Sequence, residues 1–206
     1  MVKARHNALV IKLVGAFLFA LMKVVFRKIT IKGDFEDRKQ ALLLIGNHFS
    51  WWDGFIGLYL SKKVLKRKLY VMMLEEQLQN RKVLNLMGAF SIKKNSRSAI
   101  VSLDYASELL CGKENALLLF PQGKFQPMSQ YPLTFENGWT RIISKAQCGF
   151  QIIFMVCLAD FFSHPRPELT IFFKEFTLAN PRDLTIFEKA YNEFLHECIQ
   201  QQKEIA

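Results

Sequence analysis

Five consecutive apolar residues, Ala41-Leu42-Leu43-Leu44-Ile45, run directly into Gly46-Asn47-His48-Phe49-Ser50-Trp51-Trp52-Asp53-Gly54. An unbroken apolar run of this length reads as a strand covered on both faces, as in a parallel sheet sheathed by helices. The polar segment after it then lies beyond the carboxyl end of the strand, where open α/β sheets bind their ligands. A histidine that takes a proton and an aspartate that orients it are the minimal equipment for general-base catalysis. His48 and Asp53 are therefore the candidate catalytic residues.

The rest of the chain alternates in the same way. Strands are expected at 29–32, 69–74, 90–92, 116–120, 151–158 and 169–176. Helices are expected at 53–60, at 75–87 with a break near Asn80, at 96–110, at 139–147 and at 183–203. This order predicts an α/β fold with a mainly parallel central sheet flanked by helices. The second buried strand, 116–120, runs into the turn-forming Pro121-Gln122-Gly123-Lys124. A basic segment, Lys93-Lys94-Asn95-Ser96-Arg97, follows the short strand at 90–92. In one parallel sheet, these three strand ends share an edge and bring cations to the His–Asp pair. No internal repeat, low-complexity tract or phosphate-cradling glycine loop is present.

Residues 3–28 read as one long helix. Its uninterrupted apolar core, Leu13 to Met22, is shorter than the roughly 20 residues a membrane span needs. Lys12 and Lys23 are eleven positions apart, which puts them within about 20° of each other around the helix. The pattern is that of an amphipathic helix lying in a membrane interface. Lys12 interrupts the hydrophobic region that a signal peptide would need. The expected organisation is a membrane-associating helix at 1–28 and a catalytic domain at 29–206, peripheral or monotopic on the cytoplasmic face of a membrane.

Charge supports this division. The net charge is +10, and residues 1–32 hold seven basic residues and no acid. Residues 61–98 hold ten basic residues against Glu75 and Glu76. Such asymmetry suits an anionic membrane, an anionic substrate or nucleic acid. No nucleic-acid motif accompanies it, and the basic residues flank an apolar helix, so nucleic acid is set aside. The four cysteines, Cys111, Cys148, Cys157 and Cys198, form no CxxC pair and read as separate buried thiols in a reducing compartment. His6, His164 and His196 have no partner at metal-ligand spacing and read as surface residues. No metal site and no cofactor are expected.

His48 and Asp53 with their four-residue spacer resemble the HxxxxD signature of the glycerolipid acyltransferases. Gly88 to Arg97 is similar to that family's second block, with Lys93-Lys94 standing where Asp-Arg is usual. Phe120-Pro121-Gln122-Gly123 is similar to its Phe-Pro-Glu-Gly block, with Gln122 in place of the acid. Phe135-Glu136-Asn137-Gly138 is similar to the Phe-x-x-Gly segment that follows. The resemblance covers about residues 28–160. It implies transfer of a fatty acyl group from acyl-CoA or acyl-carrier protein to a hydroxyl of a lipid acceptor, with no acyl-enzyme and no metal. It further implies His48 as base, Asp53 as its partner and Gly123 as a contributor to an oxyanion site. Lys94, and with it Arg97, would hold a phosphate of acceptor or donor. Asn47, Lys93, Phe120, Pro121, Gln122 and Lys124 complete the expected substrate-binding set. The strand at 151–158 lacks the family's usual proline. The acceptor class thus stays open among lysophospholipids, glycolipids and lipoamino acids, and a non-catalytic lipid-binding protein of the same fold is the alternative.

Overall fold

The computed structural model describes residues 1–94, 96–177 and 186–204. Asn95 and the expected helix start at Asp183 lie outside those residues. The strands are β1 (Lys28–Lys32), β2 (Ala41–Gly46), β3 (Lys68–Leu74), β4 (Ala89–Ile92), β5 (Asn115–Leu119), β6 (Phe150–Asp160) and β7 (Glu168–Phe176). They form one sheet in the order β1-β7-β6-β2-β5-β3-β4. Every pairing is parallel except β6 with β7, which are antiparallel. The mainly parallel α/β sheet expected from the sequence is what forms.

All six residues of β2 are buried because both faces of the sheet are covered. On one face Leu42 and Leu44 meet Leu18 and Met22 of α1 (Ala8–Val25) and Ile56 and Leu60 of α2 (Asp53–Leu60). On the other, Leu43 and Ile45 belong to the cluster that holds Ala106 of α5 (Ser98–Leu109), Ile142 of α6 (Arg141–Lys145) and Phe187 and Tyr191 of α7 (Ile186–Lys203). Two short helices, α3 (Glu75–Asn80) and α4 (Lys82–Asn85), replace the single interrupted helix expected at 75–87.

Helix α1 is shorter than the sequence suggests. The Asn7 side chain accepts from the N–H groups of Leu9 and Val10 and starts it. Lys28 already belongs to β1, so the expected boundary after residue 28 falls inside the sheet. The preceding segment is stitched to the β4 side through Arg5 N–H to the Asn85 carbonyl and Ser91 N–H to the Val2 carbonyl. His6 is not a free surface residue. It is half-buried, bonds through Nε2 to the Leu69 carbonyl at 2.9 Å and meets the Tyr70 ring edge-on. Burial pushes its pKa below the ordinary value, against the raising effect of that hydrogen bond.

By length and composition alone α1 is able to cross a bilayer: 18 residues with mean hydropathy 2.3. Lys12 breaks the longest apolar run without lowering that mean enough to matter. Burial of Gly15, Leu18 and Met22 against the sheet nevertheless holds the helix on the domain.

The cysteine expectation is corrected. Cys157 and Cys198 are buried thiols, and burial pushes both upward in pKa, Cys198 to about 12. Cys111 and Cys148 are exposed and joined by a disulfide. It ties the end of α5 to the turn before β6 across 37 positions of sequence, which no CxxC spacing signals. In the chain-entropy picture a closure of this size contributes about 3–4 kcal/mol. Cys111→Ser is expected to lower the unfolding free energy by about that amount in urea titrations under oxidising conditions. With dithiothreitol present, wild type and variant should unfold together.

Candidate active site

The site begins where β2 stops. Gly46 is the last residue of β2 in register with β6, opposite Met155. Beyond it the Asn47 side chain takes over the ladder: its Nδ2 donates to the Cys157 carbonyl at 2.9 Å and its Oδ1 accepts from Cys157 N–H at 2.8 Å. Both polar atoms of Asn47 are thus spent on the backbone of β6. The residue also lines the cavity beside His48. From α7, the buried Tyr191 hydroxyl donates to the Met155 carbonyl beside this clamp.

Released from the sheet, the chain wraps around one carboxylate. Asp53 is 1% exposed. Its Oδ2 accepts from His48 Nδ1 at 2.8 Å, Phe49 N–H at 2.8 Å and Ser50 N–H at 3.0 Å. Its Oδ1 accepts from Ser50 Oγ at 2.8 Å, and Trp52 N–H donates to that same Oγ. Just ahead of α2, Ser50 thus donates to the Asp53 carboxylate through both its N–H and its hydroxyl. Nearby, Trp52 packs on Phe26 while Trp51 stays half exposed.

The His48 ring lies between Phe120, stacked at 4.3 Å, and Phe125 at 4.1 Å. Its backbone N–H donates to Gln122 Oε1 at 2.6 Å, and its carbonyl accepts from Gln126 N–H. Gln122 is buried and also donates through Nε2 to Gln126 Oε1 at 2.5 Å. An amide at position 122 serves both bonds; a carboxylate there would lack the donor. Among the described residues, His48 Nε2 has no hydrogen-bond partner. A cavity of about 10 Å³ lies beside His48, room for about one water molecule.

Of the expected set, His48, Asp53, Asn47, Phe120, Pro121, Gln122 and Gly123 come together at this sheet edge. Lys94 reaches it from the end of β4: its Nζ donates to the Gly123 carbonyl at 2.7 Å and to Glu136 Oε1 at 2.8 Å. The Glu136 carboxylate packs over Gly123, 2.3 Å from where a Cβ would sit. With φ at +64° as well, the position admits only glycine without strain. Gly123 N–H donates to the Phe120 carbonyl at 3.0 Å, so the expected oxyanion donor is already committed to a turn. Lys93, Arg97 and Lys124 are exposed and, among the described residues, their side chains bond to none of these groups.

Ser50, Phe125, Gln126 and Glu136 escaped sequence reasoning. Only Ser50 carried a legible signal, the Ser-x-x-Asp spacing before a helix. Among the described residues no group of three or more His, Cys, Asp or Glu side chains converges in metal-binding fashion.

A half-buried imidazole, held by a buried carboxylate at the carboxyl edge of a mainly parallel sheet, places this chain among α/β proteins with a His–Asp pair at a strand end. Comparison with known proteins narrows this class. A family model described as Acyltransferase matches residues 28–157, more than half of the chain, and the chain belongs to that family. Its fold is similar to that of the 1-acyl-sn-glycerophosphate (LPA) acyltransferase PlsC from Thermotoga maritima. The TM-score is 0.63 at 15% identity, over 94% of this chain and 79% of that one. A search of curated proteins found no match.

Asp53→Asn would turn one acceptor oxygen into an NH2 group facing N–H or hydroxyl donors. The variant is expected to lose about 1–3 kcal/mol of stability in urea titrations, as for a buried group left unsatisfied.

Proposed function

We infer that this acyltransferase moves a fatty acyl group from a thioester, acyl-CoA or acyl-carrier protein, to a hydroxyl of a lipid acceptor at a membrane surface. The observation that carries the reading is the 2.8 Å bond from His48 Nδ1 to Asp53 Oδ2, with Nε2 left unpartnered. Bonded in this way, Nδ1 holds the proton and Nε2 is the basic nitrogen. In the reaction Nε2 takes the proton of the acceptor hydroxyl. The oxygen attacks the thioester carbonyl, and the tetrahedral adduct collapses with expulsion of thiolate. The imidazolium returns its proton to the sulfur. Throughout, Asp53 fixes the tautomer and stabilises the cation. The Lys94–Glu136 pair is partly exposed and contributes at most about 1 kcal/mol. An anionic group on acceptor or donor can therefore displace Glu136.

Membrane attachment is carried by α1. Leu9, Leu13, Phe17 and Val24 form an exposed apolar stripe on the side away from the core. Trp51, half exposed beside the site, is the kind of aromatic residue favoured at a bilayer interface. Lys12 and Lys23 on the same helix suit anionic headgroups. The resemblance to glycerolipid enzymes points to a lysophospholipid, glycolipid or lipoamino acid as acceptor.

His48→Ala is expected to lower acceptor-dependent thiol release by about 100- to 10,000-fold. Equal release by wild type and variant would refute the assignment. Leu13→Asp combined with Phe17→Asp should abolish flotation with vesicles of phosphatidylcholine and phosphatidylglycerol. Unchanged flotation would remove α1 as the anchor.

A further inference from the structure

A space far larger than the cavity beside His48 lies elsewhere among the described residues. A groove of about 770 Å³ runs between the first half of α1 and the far end of α2, a size typical of small-molecule sites. It lies towards the amino-terminal edge of the sheet, where β3 begins. Its nearest lining residue on α2, Leu58, is five positions beyond Asp53, about 8 Å along the helix axis.

Two kinds of surface line the groove. Its floor is apolar, built by Ile11, Phe19, Leu58 and Leu69. Gly15 gives it depth: a Cβ there would meet nothing within 4 Å, although the residue is buried. The rim carries Lys12, Lys62, Lys63, Lys66 and Lys68, and no acidic residue lines it. Among the described residues the lysines in ion pairs are Lys39, Lys94, Lys174 and Lys189, so none of the rim lysines is neutralised.

The backbone gathers these charges deliberately. After α2 the chain makes a π-helical turn at Ser61–Leu65, closed by Lys66 N–H to the Ser61 carbonyl at 2.8 Å. Lys66 is held left-handed, with φ at +53°, a conformation that costs a lysine about 1–2 kcal/mol. The Ser61 hydroxyl bonds to the Arg67 carbonyl and locks the turn. Lys62, Lys63 and Lys66 thereby stand on one side of the groove, with Lys12 of α1 on the other.

We propose that this groove binds one molecule of an anionic phospholipid drawn from the bilayer. Its phosphate sits among Lys12, Lys62, Lys63 and Lys66, and an acyl chain lies along the apolar floor between α1 and α2. The occupant is a lipid rather than a soluble anion because the space beneath the lysines is apolar. It comes from the bilayer because the stripe of Leu9, Leu13 and Phe17, on the same half of α1, is exposed. Bound there, the lipid bridges α1 to the turn after α2 and fixes the anchor on the domain. The source of the lipid rests on the membrane reading above; the groove and its lysines do not.

The test is calorimetric titration of the full chain with dihexanoyl phosphatidic acid below its micelle concentration. This probe has no free glycerol hydroxyl to be acylated. One lipid is expected to bind per chain, at least about tenfold tighter than dihexanoyl phosphatidylcholine. Substituting Lys62, Lys63 and Lys66 together by Ala should weaken binding by at least about tenfold. Gly15→Met should do the same by filling the floor. Replacing a helical glycine also raises helix stability, and unaltered His48-dependent thiol release would exclude misfolding. Undiminished binding by either variant would overturn the proposal. So would loss of binding in His48→Ala, which would put the lipid in the catalytic site, or full competition by inorganic phosphate, which would mean that the chain contributes nothing. Wild type that takes up the soluble lipid but fails to float with vesicles would sink the membrane reading and leave the groove assignment standing.

Discussion

One carboxylate fixes the geometry of the whole site. Asp53 is almost completely withdrawn from water, and an ion so placed survives only if its lone pairs are filled. Four donors fill them, and all four come from the three residues His48, Phe49 and Ser50. The loop therefore has little freedom to adopt another path. The imidazole is one of those four donors, so its orientation follows from satisfying a buried charge. A feature required for folding and a feature required for chemistry are here the same set of bonds.

The loop reaches that carboxylate only because β2 ends on time. The Asn47 side chain closes the ladder against Cys157 in place of the backbone, which lets the main chain leave the sheet without stranding polar groups. Gln122 and Phe120 at the end of β5 then support His48 from the neighbouring strand. Adjacent parallel strands run the same way, so the carboxyl ends of β2 and β5 lie side by side although a long crossover separates them in sequence.

Much of this was legible beforehand, for physical reasons. Continuous apolar runs announced β2 and β5, because both faces of a parallel sheet are covered. The His48–Asp53 spacing and the turn at Pro121 were visible as chemistry at strand ends. What stayed hidden depended on tertiary placement. Nothing local announces that the Asn47 side chain completes a ladder with β6. The Cys111–Cys148 bond joins two turns that only the packing of α5 and α6 brings together. Whether Gly123 N–H is free depends on the turn it closes, and Phe125 sits over His48 because its segment folds back, a path that loop composition does not encode. Charge was legible in amount and in part in place. The lysines of residues 61–68 line a groove, whereas Lys94 is engaged by Glu136.

The strand order has a temporal consequence. Strand β1 pairs only with β7, and the Arg27–Glu168 contact beside that pairing spans 141 positions. At synthesis rates of about 5–20 residues per second, β1 waits roughly 10–30 s for its partner. Parallel pairings of such long range are also slow to form once the chain is complete. During that interval α1 has left the ribosome with its core-facing side uncovered as well as its outer stripe. Until the last strands arrive, a nascent chain of this topology is stickier than the finished protein, and a nearby lipid surface would shelter it while it folds.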